Sequence, residues 1–139
     1  MPESSPVGNG ARAPRKVGRV LDTSPLTAVV ERFADRLRAA PQSRLQRGAA
    51  AEALEAAREL SVRAQRLEDP DGAAAPRLMP EAGIFAVGDQ LAVAGQDLAQ
   101  ALRAAASGPG AGPDGAKAPS EELDEAVRLV ERAEVRAMR

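Results

Sequence analysis

Four stretches of the chain carry apolar residues at the three- and four-residue spacing of an amphipathic α-helix. The first stretch follows Ser24, a capping side chain, and Pro25, whose fixed φ suits the first turn of a helix. Its apolar positions are Leu26, Val30, Phe33, Leu37 and Ala40. This pattern predicts a helix over residues 25–39, which Pro41 ends in a tight corner between residues 38 and 43.

Two further helices are predicted after this corner, and a break at residues 69–72 separates them. The second runs from the corner to about residue 68, and its stripe consists mostly of alanine: Ala50, Ala53, Ala57, Leu60, Ala64 and Leu67. Breaker residues at 69–72 and a loop to residue 80 follow it. The third helix, over residues 81–106, has the strongest pattern: Ile84, Val87, Leu91, Ala94, Leu98, Ala101 and Ala105.

The third helix also contains a near-repeat, in which GDQLAVA at 88–94 is followed by GQDLAQA at 95–101. Gly88 and Gly95 therefore lie two turns apart beside the apolar stripe. Glycine inside a helix costs about 1 kcal/mol relative to alanine. The pair indicates that another backbone approaches closely there, although tolerated drift in an alanine-rich helix explains it equally well.

A segment rich in glycine and proline, residues 107–119, precedes the last predicted helix. Ser120 is the predicted cap, with acidic residues in the first turns and arginines toward the end, the order that the helix dipole favours. The apolar face contains Leu123, Val127, Val130 and Ala137. The linker lets this helix pack on its own bundle or on another chain, and we favour its own bundle.

These patterns predict an all-α protein, a small antiparallel helical bundle of three helices in up-down-up order with a tethered C-terminal fourth helix. We divide the chain into a flexible N-terminal arm (1–23), the bundle (24–106), a Gly/Pro linker (107–119) and a C-terminal amphipathic helix (120–139). Because alanine fills many stripe positions, the core is thin. A homodimer or a complex with a protein partner would compensate for that deficit.

Composition then removes several kinds of chemistry. The 139-residue chain has no Cys, His, Trp or Tyr, which excludes disulfides, thiolate or imidazole metal sites and Ser-His-Asp catalysis. The acidic residues do not match a calcium loop. We therefore expect no catalytic residues, no metal and no cofactor. Since no apolar stretch has the length of a signal peptide core or a membrane span, we expect a cytoplasmic protein without membrane contact.

Charge is distributed unevenly, with 12 basic and 7 acidic residues in 1–67 and 7 basic and 13 acidic residues in 68–139. A nucleic acid could bind an arm and a patch near the first corner: Arg12, Arg15, Lys16 and Arg19 in the arm, and Arg36, Arg38, Arg44 and Arg47 in the patch. Alternatively, the two halves attract each other or solvent ions. We favour the second explanation, because the net charge is −1 and the chain lacks Trp, Tyr and His for base stacking.

A site that holds an anionic substrate between arginine and carboxylate side chains would need polar residues inside the bundle. The polar residues of the third helix lie opposite its apolar stripe and are most simply a solvated face: Asp89, Gln90, Gln96, Asp97, Gln100 and Arg103. Apolar residues on polar faces indicate possible protein contacts instead. A helical wheel places Phe85 and Val93 on the polar side of the third helix, and Val62 on that of the second.

The candidate protein-interaction residues are therefore Phe85, Gly88, Val93, Gly95, Leu123, Val127 and Val130. They favour a non-enzymatic protein-interaction or regulatory bundle that acts through helix–helix packing. The alternative is a nucleic-acid-associated regulator that uses the basic N-terminal half of the chain.

Overall fold

The computed structural model describes residues 20–72, 75–108 and 118–139, and these residues form helices and no strands. The helices are α1 (Ser24–Ala39), α2 (Gln42–Arg44), α3 (Ala50–Glu68), α4 (Val87–Ser107) and α5 (Pro119–Met138). The four long helices pack together, which confirms the all-α bundle. Residues 1–19 of the predicted arm and 109–117 of the predicted linker lie outside the described residues.

The caps of α1 and α5 differ from the predicted ones. Ser24 is already helical, with Thr23 at the cap position, and the Asp22 carboxylate accepts a hydrogen bond from the Ser24 backbone N–H at 3.0 Å. The α5 helix begins at Pro119, so Ser120 lies inside the first turn rather than capping it. In both helices proline occupies the first turn, where its missing N–H costs nothing, and the cap therefore falls further upstream.

The predicted second helix is broken at its start. The short helix α2 continues into a wider π-helical turn, Leu45–Ala49, before α3 begins. The break lies at Gly48, whose φ of 143° is a backbone conformation that residues with a side chain rarely adopt. Leu45 and Ala49 of this turn are buried against the bundle. The kink therefore allows the segment between α1 and α3 to pack on the core.

The segment between α3 and α4 returns along α3. We call residues 75–86 the strap. The Gln65 side chain near the end of α3 bonds to the Arg77 backbone at 2.7 and 2.8 Å, whereas the earlier Arg58 donates its Nε–H to the Met79 carbonyl at 2.7 Å. Later strap residues thus contact earlier residues of α3. The strap takes up residues 81–86 of the predicted third helix, and α4 begins only at Val87.

The α1 and α4 helices run antiparallel, whereas the predicted up-down-up order would make them parallel. Gly88, near the start of α4, lies beside Arg38 at the end of α1. Gly95, further along α4, lies beside Val30, which comes earlier in α1. Since α1 and α4 are separated in the chain by α3 and the strap, this pairing forms only when the bundle folds.

The direction of α4 relative to α3 departs from the up-down-up order. Val87, at the start of α4, lines the same groove as Ala50, at the start of α3, so these two helices run in the same direction. The ion pair between Arg63 and Glu125 places the start of α5 near the end of α3, so α5 runs antiparallel to α3. The order is up-down-down-up, because the strap is long enough to return to the start of α3.

The core lies between α1, α3, α4 and α5. The α4 helix packs on α3 and α1, while α5 packs on α3 and α1 and touches α4 less. The largest fully buried side chains come from all four helices: Phe33, Leu26, Leu60, Leu91, Leu98, Leu102, Val30 and Val130. Alanines fill much of the remaining core, so the thin core predicted from the stripes is present, and the chain's own α5 covers it.

Val62 corrects the wheel-based expectation for the polar side of the second helix. It is buried, with 9% of its surface exposed. Val62 lies on the same helix face as Arg58 and Gln65, both of which bond to the strap. The strap therefore covers a face that helical periodicity assigned to solvent.

Candidate interaction surface

Two features of the described residues bear on function: a set of ion pairs that joins the helices, and an apolar groove beside the strap. No group of three or more His, Cys, Asp or Glu side chains in the described ranges is arranged to hold a metal ion. No helix in the part of the chain that the structure describes is long and apolar enough to cross a membrane.

The most buried ion pair of the described residues joins α5 to α1 and centres on Glu134, whose side chain is only 5% exposed. Its Oε1 accepts a hydrogen bond from Arg32 Nη2 at 2.8 Å, and its Oε2 accepts one from Arg36 Nη1 at 3.0 Å. Burial by itself raises the pKa of Glu134, but the hydrogen bonds and charges of the two arginines outweigh it and lower the pKa. Glu134 is thus a buried, doubly paired carboxylate that holds α5 on α1.

Sequence reasoning missed this pair, although one signal was present. Glu134 follows Val130 by four residues and therefore lies on the buried side of α5 rather than its polar side. A carboxylate on an apolar face needs a cationic partner, since burial of an unpaired charge is costly. The spacing could have indicated that α5 docks on a basic helix, and α1 is such a helix.

Further ion pairs join the N-terminal and C-terminal halves of the chain. Arg38 Nη2 lies 2.8 Å from Asp89 Oδ1, and Arg136 Nε lies 2.9 Å from Glu52 Oε1. These pairs are largely exposed, so each contributes little stability, about 0–1 kcal/mol. The Arg38–Asp89 pair joins the basic half to the acidic half, as the charge distribution led us to expect, whereas in the Arg136–Glu52 pair the signs are reversed.

The predicted nucleic-acid patch is largely engaged in these contacts. Arg36 pairs with Glu134, Arg38 pairs with acids of α1 and α4, and Arg44 donates to the carbonyl of Arg139 at 3.3 Å. The predicted arm residues Arg12, Arg15, Lys16 and Arg19 lie outside the described residues.

The two helix glycines lie in the contact between α1 and α4. A Cβ on Gly95 would lie 2.7 Å from Val30 Cγ1, and one on Gly88 would lie 3.2 Å from the Ala34 carbonyl oxygen. Both glycines are buried. The close approach that the near-repeat indicated is present, and it is made with α1 of the same chain.

The remaining candidate interaction residues divide into buried and exposed sets. On α5, Leu123 and Val130 are buried and Val127 is half-buried, all against the chain's own bundle. Phe85 is 72% exposed and Val93 is 53% exposed. Of the candidates, only these two present large surface to a partner in this structure.

The polar residues of α4 are mostly exposed, as predicted for a solvated face. Gln90 is the exception, because it is half-buried and its Nε2 donates to the Pro80 carbonyl at 2.8 Å. Its Oε1 is buried and has no hydrogen-bond partner among the described residues. Gln90 therefore helps to fix the strap to the start of α4.

An apolar groove of about 490 Å³ lies where the start of α3, the π-helical turn and the strap meet. Its apolar lining includes Leu45, Leu54, Ile84 and Val87. Leu45 and Val87 are buried in the floor, while Leu54 and Ile84 are only partly covered. The pattern at 81–106 placed Ile84 on a helix, but the backbone turns at Gly83 and Ile84 instead belongs to the strap.

The charged lining of the groove is mainly acidic, with Glu52, Glu55 and Glu81 against Arg58. Glu52 pairs with Arg136 of α5, and Arg58 is held by the Met79 carbonyl. Glu55 and Glu81 make no ion pair within the described ranges.

The strap also carries two large exposed apolar side chains, Leu78 and Phe85. Leu78 is 66% exposed, and Phe85 directly follows the groove residue Ile84 in the chain. Phe33, the other phenylalanine, is completely buried in the core. We call the groove together with Leu78 and Phe85 the strap surface.

Comparison of the chain with protein-family models, with curated protein sequences and with solved structures found no match.

Proposed function

We propose that this protein is a non-enzymatic protein-interaction or regulatory helical bundle whose docking site is the strap surface. One observation carries the proposal: the strap exposes Leu78 and Phe85 and, through Glu81, Gly83 and Ile84, lines an apolar groove of about 490 Å³. Single exposed apolar residues are ordinary on protein surfaces, whereas an apolar groove lined by a segment that also exposes large apolar side chains is typical of interaction sites. Aromatic side chains such as that of Phe85 are also common anchors in interfaces.

The way the strap is attached supports this role. Arg58 and Gln65 hold the strap backbone at Met79 and Arg77 through hydrogen bonds of 2.7 to 2.8 Å. A surface whose backbone is already fixed loses less conformational entropy when a partner binds. The exposed apolar side chains are thus presented from a pre-organised segment.

We extend the proposal to the cellular location and the assembly state of the protein. We place the protein in the cytoplasm, acting in a hetero-complex or as a homodimer, without a cofactor. A regulatory role fits a chain that has no Cys or His for nucleophilic catalysis. The alternative, nucleic-acid association through the basic N-terminal half, has less support because Arg36, Arg38 and Arg44 already bond within the chain.

Site-specific photo-crosslinking tests the proposal. A photoreactive amino acid is placed at Phe85, at Leu78 and, as a matched control, at Val135, which is 64% exposed on α5. In the native host, we expect one dominant protein adduct at the two strap positions and not at Val135. Excess purified wild-type protein should compete for that adduct, whereas a variant with Phe85→Ala and Leu78→Ala should not.

Two outcomes would contradict the proposal. One is the same set of adducts at all three positions, which would indicate random collision. The other is an adduct at Phe85 that the double variant competes for as well as the wild-type protein does, since the apolar strap side chains would then contribute nothing to binding.

A further inference from the structure

We infer that the strap surface binds a basic segment of a partner protein, in which an apolar side chain is flanked by lysine or arginine. This inference rests on the proposed function and adds the chemistry of the partner. It follows from the charge of the groove, which has three carboxylates and one guanidinium around an apolar floor. Glu55 and Glu81 are the carboxylates available to a ligand, because they make no ion pair among the described residues.

The groove suits a basic segment better than an anionic one. Its one guanidinium, Arg58, is outnumbered by the three carboxylates of the lining, and its Nε–H is already donated to the Met79 carbonyl. Glu55 and Glu81 are exposed and can accept hydrogen bonds from cationic side chains. An acidic peptide would place its carboxylates against these two, which like-charge repulsion disfavours.

Apolar and ionic contacts can be made by the same partner residues. Leu54 and Ile84 are only partly covered and leave apolar surface between the acidic positions. Lysine and arginine side chains bury their aliphatic stems on such surface while their charged ends reach nearby carboxylates. An apolar anchor in the groove and basic residues on its rim therefore use the whole lining.

A second copy of this chain is a poorer occupant of the same surface. In a symmetric dimer the same patch faces itself, so Glu55 and Glu81 of one copy would meet the same acidic patch of the other. That arrangement concentrates negative charge without a compensating cation. The charge of the groove thus favours a different, basic partner.

The test uses the isotope-labelled full-length protein and three short synthetic peptides. The first peptide is amphipathic, with leucine on one helical face and lysine on the other. The second replaces every lysine with glutamate, and the third replaces every leucine with serine. Backbone amide shifts in nuclear magnetic resonance titrations report where each peptide binds and how tightly.

We expect the leucine–lysine peptide to shift the amides of Gly48, Glu55 and Ile84, and to bind more tightly than the other two peptides. Glu55→Gln and Glu81→Gln should each weaken its binding about two- to fivefold, the effect of losing one exposed ion pair. Asp124→Asn is the matched control, since Asp124 is an exposed acid near the start of α5, away from the groove. It should leave the affinity unchanged.

Other results would overturn the inference. If the leucine–glutamate peptide binds the groove as tightly, or if Asp124→Asn weakens binding as much as Glu55→Gln, the acidic rim does not select the partner. If the serine–lysine peptide binds equally well, the apolar floor is not used. Any of these results, combined with a specific crosslink at Phe85, would overturn this inference while leaving the proposed function intact.

Discussion

The contact between Gly95 and Val30 allows a sharp test of how α1 and α4 pack. A Cβ added at Gly95 would lie 2.7 Å from Val30 Cγ1 and 2.9 Å from Cγ2, both closer than carbon atoms approach without strain. Val30 is itself buried in the core, with 1% of its surface exposed. The Gly95→Ala substitution therefore has two opposite effects on stability: alanine has the higher helix propensity, but its methyl group overpacks the core.

The magnitudes decide the sign. Alanine in place of glycine gains about 1 kcal/mol in a helix interior, whereas one extra carbon in a well-packed core costs about 1–3 kcal/mol. Val30 cannot rotate away cheaply, because a valine in a helix has one strongly preferred χ1. Since both its γ carbons are too close, we expect the upper part of that cost and a net loss of about 1–2 kcal/mol.

The companion substitution Val30→Ala removes both γ carbons. The closest remaining approach to a new Cβ at Gly95 is then that of the residue 30 Cβ at 3.1 Å, which a small shift of the helices relieves. In this background Gly95→Ala should be neutral or stabilising, because the propensity gain remains and the new methyl fills space that Val30→Ala vacates. The effect of one substitution thus changes sign or vanishes with the other.

Urea denaturation of the wild-type protein, the two single variants and the double variant gives the coupling energy. We expect a coupling of about 1 kcal/mol or more, well above the 0.3–0.5 kcal/mol expected for independent sites. Additive effects within that range would refute the close packing of α1 on α4. A stabilising effect of Gly95→Ala in the protein that keeps Val30 would refute it as well.

Four further predictions test other parts of the structure. The pKa of Glu134 is lowered from its ordinary value of 4.5. The ionised carboxylate therefore stabilises the folded protein fully above pH 4.5, and this stabilisation is lost as the pH falls through the lower pKa of the folded state. Glu134→Gln should therefore destabilise by about 1–3 kcal/mol at neutral pH, and the difference from wild type in urea denaturation should shrink in acid; a constant difference would contradict the ion pair. Gly48→Ala should lower the free energy of unfolding by about 1–3 kcal/mol, because alanine is strained at the positive φ of this position. Nothing lies within 4 Å of the new Cβ, so the loss would not come from a steric clash. An unchanged urea midpoint would mean that the turn adopts another conformation. Truncation at residue 107 should lower the urea midpoint or change the mass seen by light scattering, because it removes the buried Leu123 and Val130; a truncated monomer with the wild-type midpoint would refute the role of α5. Duplex DNA should bind weakly and lose affinity steeply with salt in fluorescence anisotropy, whereas tight, sequence-dependent binding at physiological salt would favour the nucleic-acid alternative.

The candidate site was only partly visible in the sequence. Phe85 was identified because an aromatic residue on a polar face is unusual, and it is exposed as expected. The groove beside it was not identified. Its residues Leu45, Leu54 and Ile84 come from three different segments, and no sequence pattern shows that these segments lie side by side. Gly88 and Gly95 were correctly read as points of close approach, but periodicity cannot tell whether the neighbour belongs to the same chain.

The sequence by itself determined where the long helices lie, because their apolar spacing and their proline and glycine breaks act over a few neighbouring residues. The bounds of α1, the end of α3 and almost all of α5 follow from that local information. Only the tertiary structure decided the direction of α4, the course of the strap and the burial of Glu134. These features depend on contacts between distant residues, such as Arg58 with Met79 and Arg32 with Glu134. A connection as long as the strap can end at either end of α3, so its course is settled by hydrogen bonds and burial that form only in the assembled bundle.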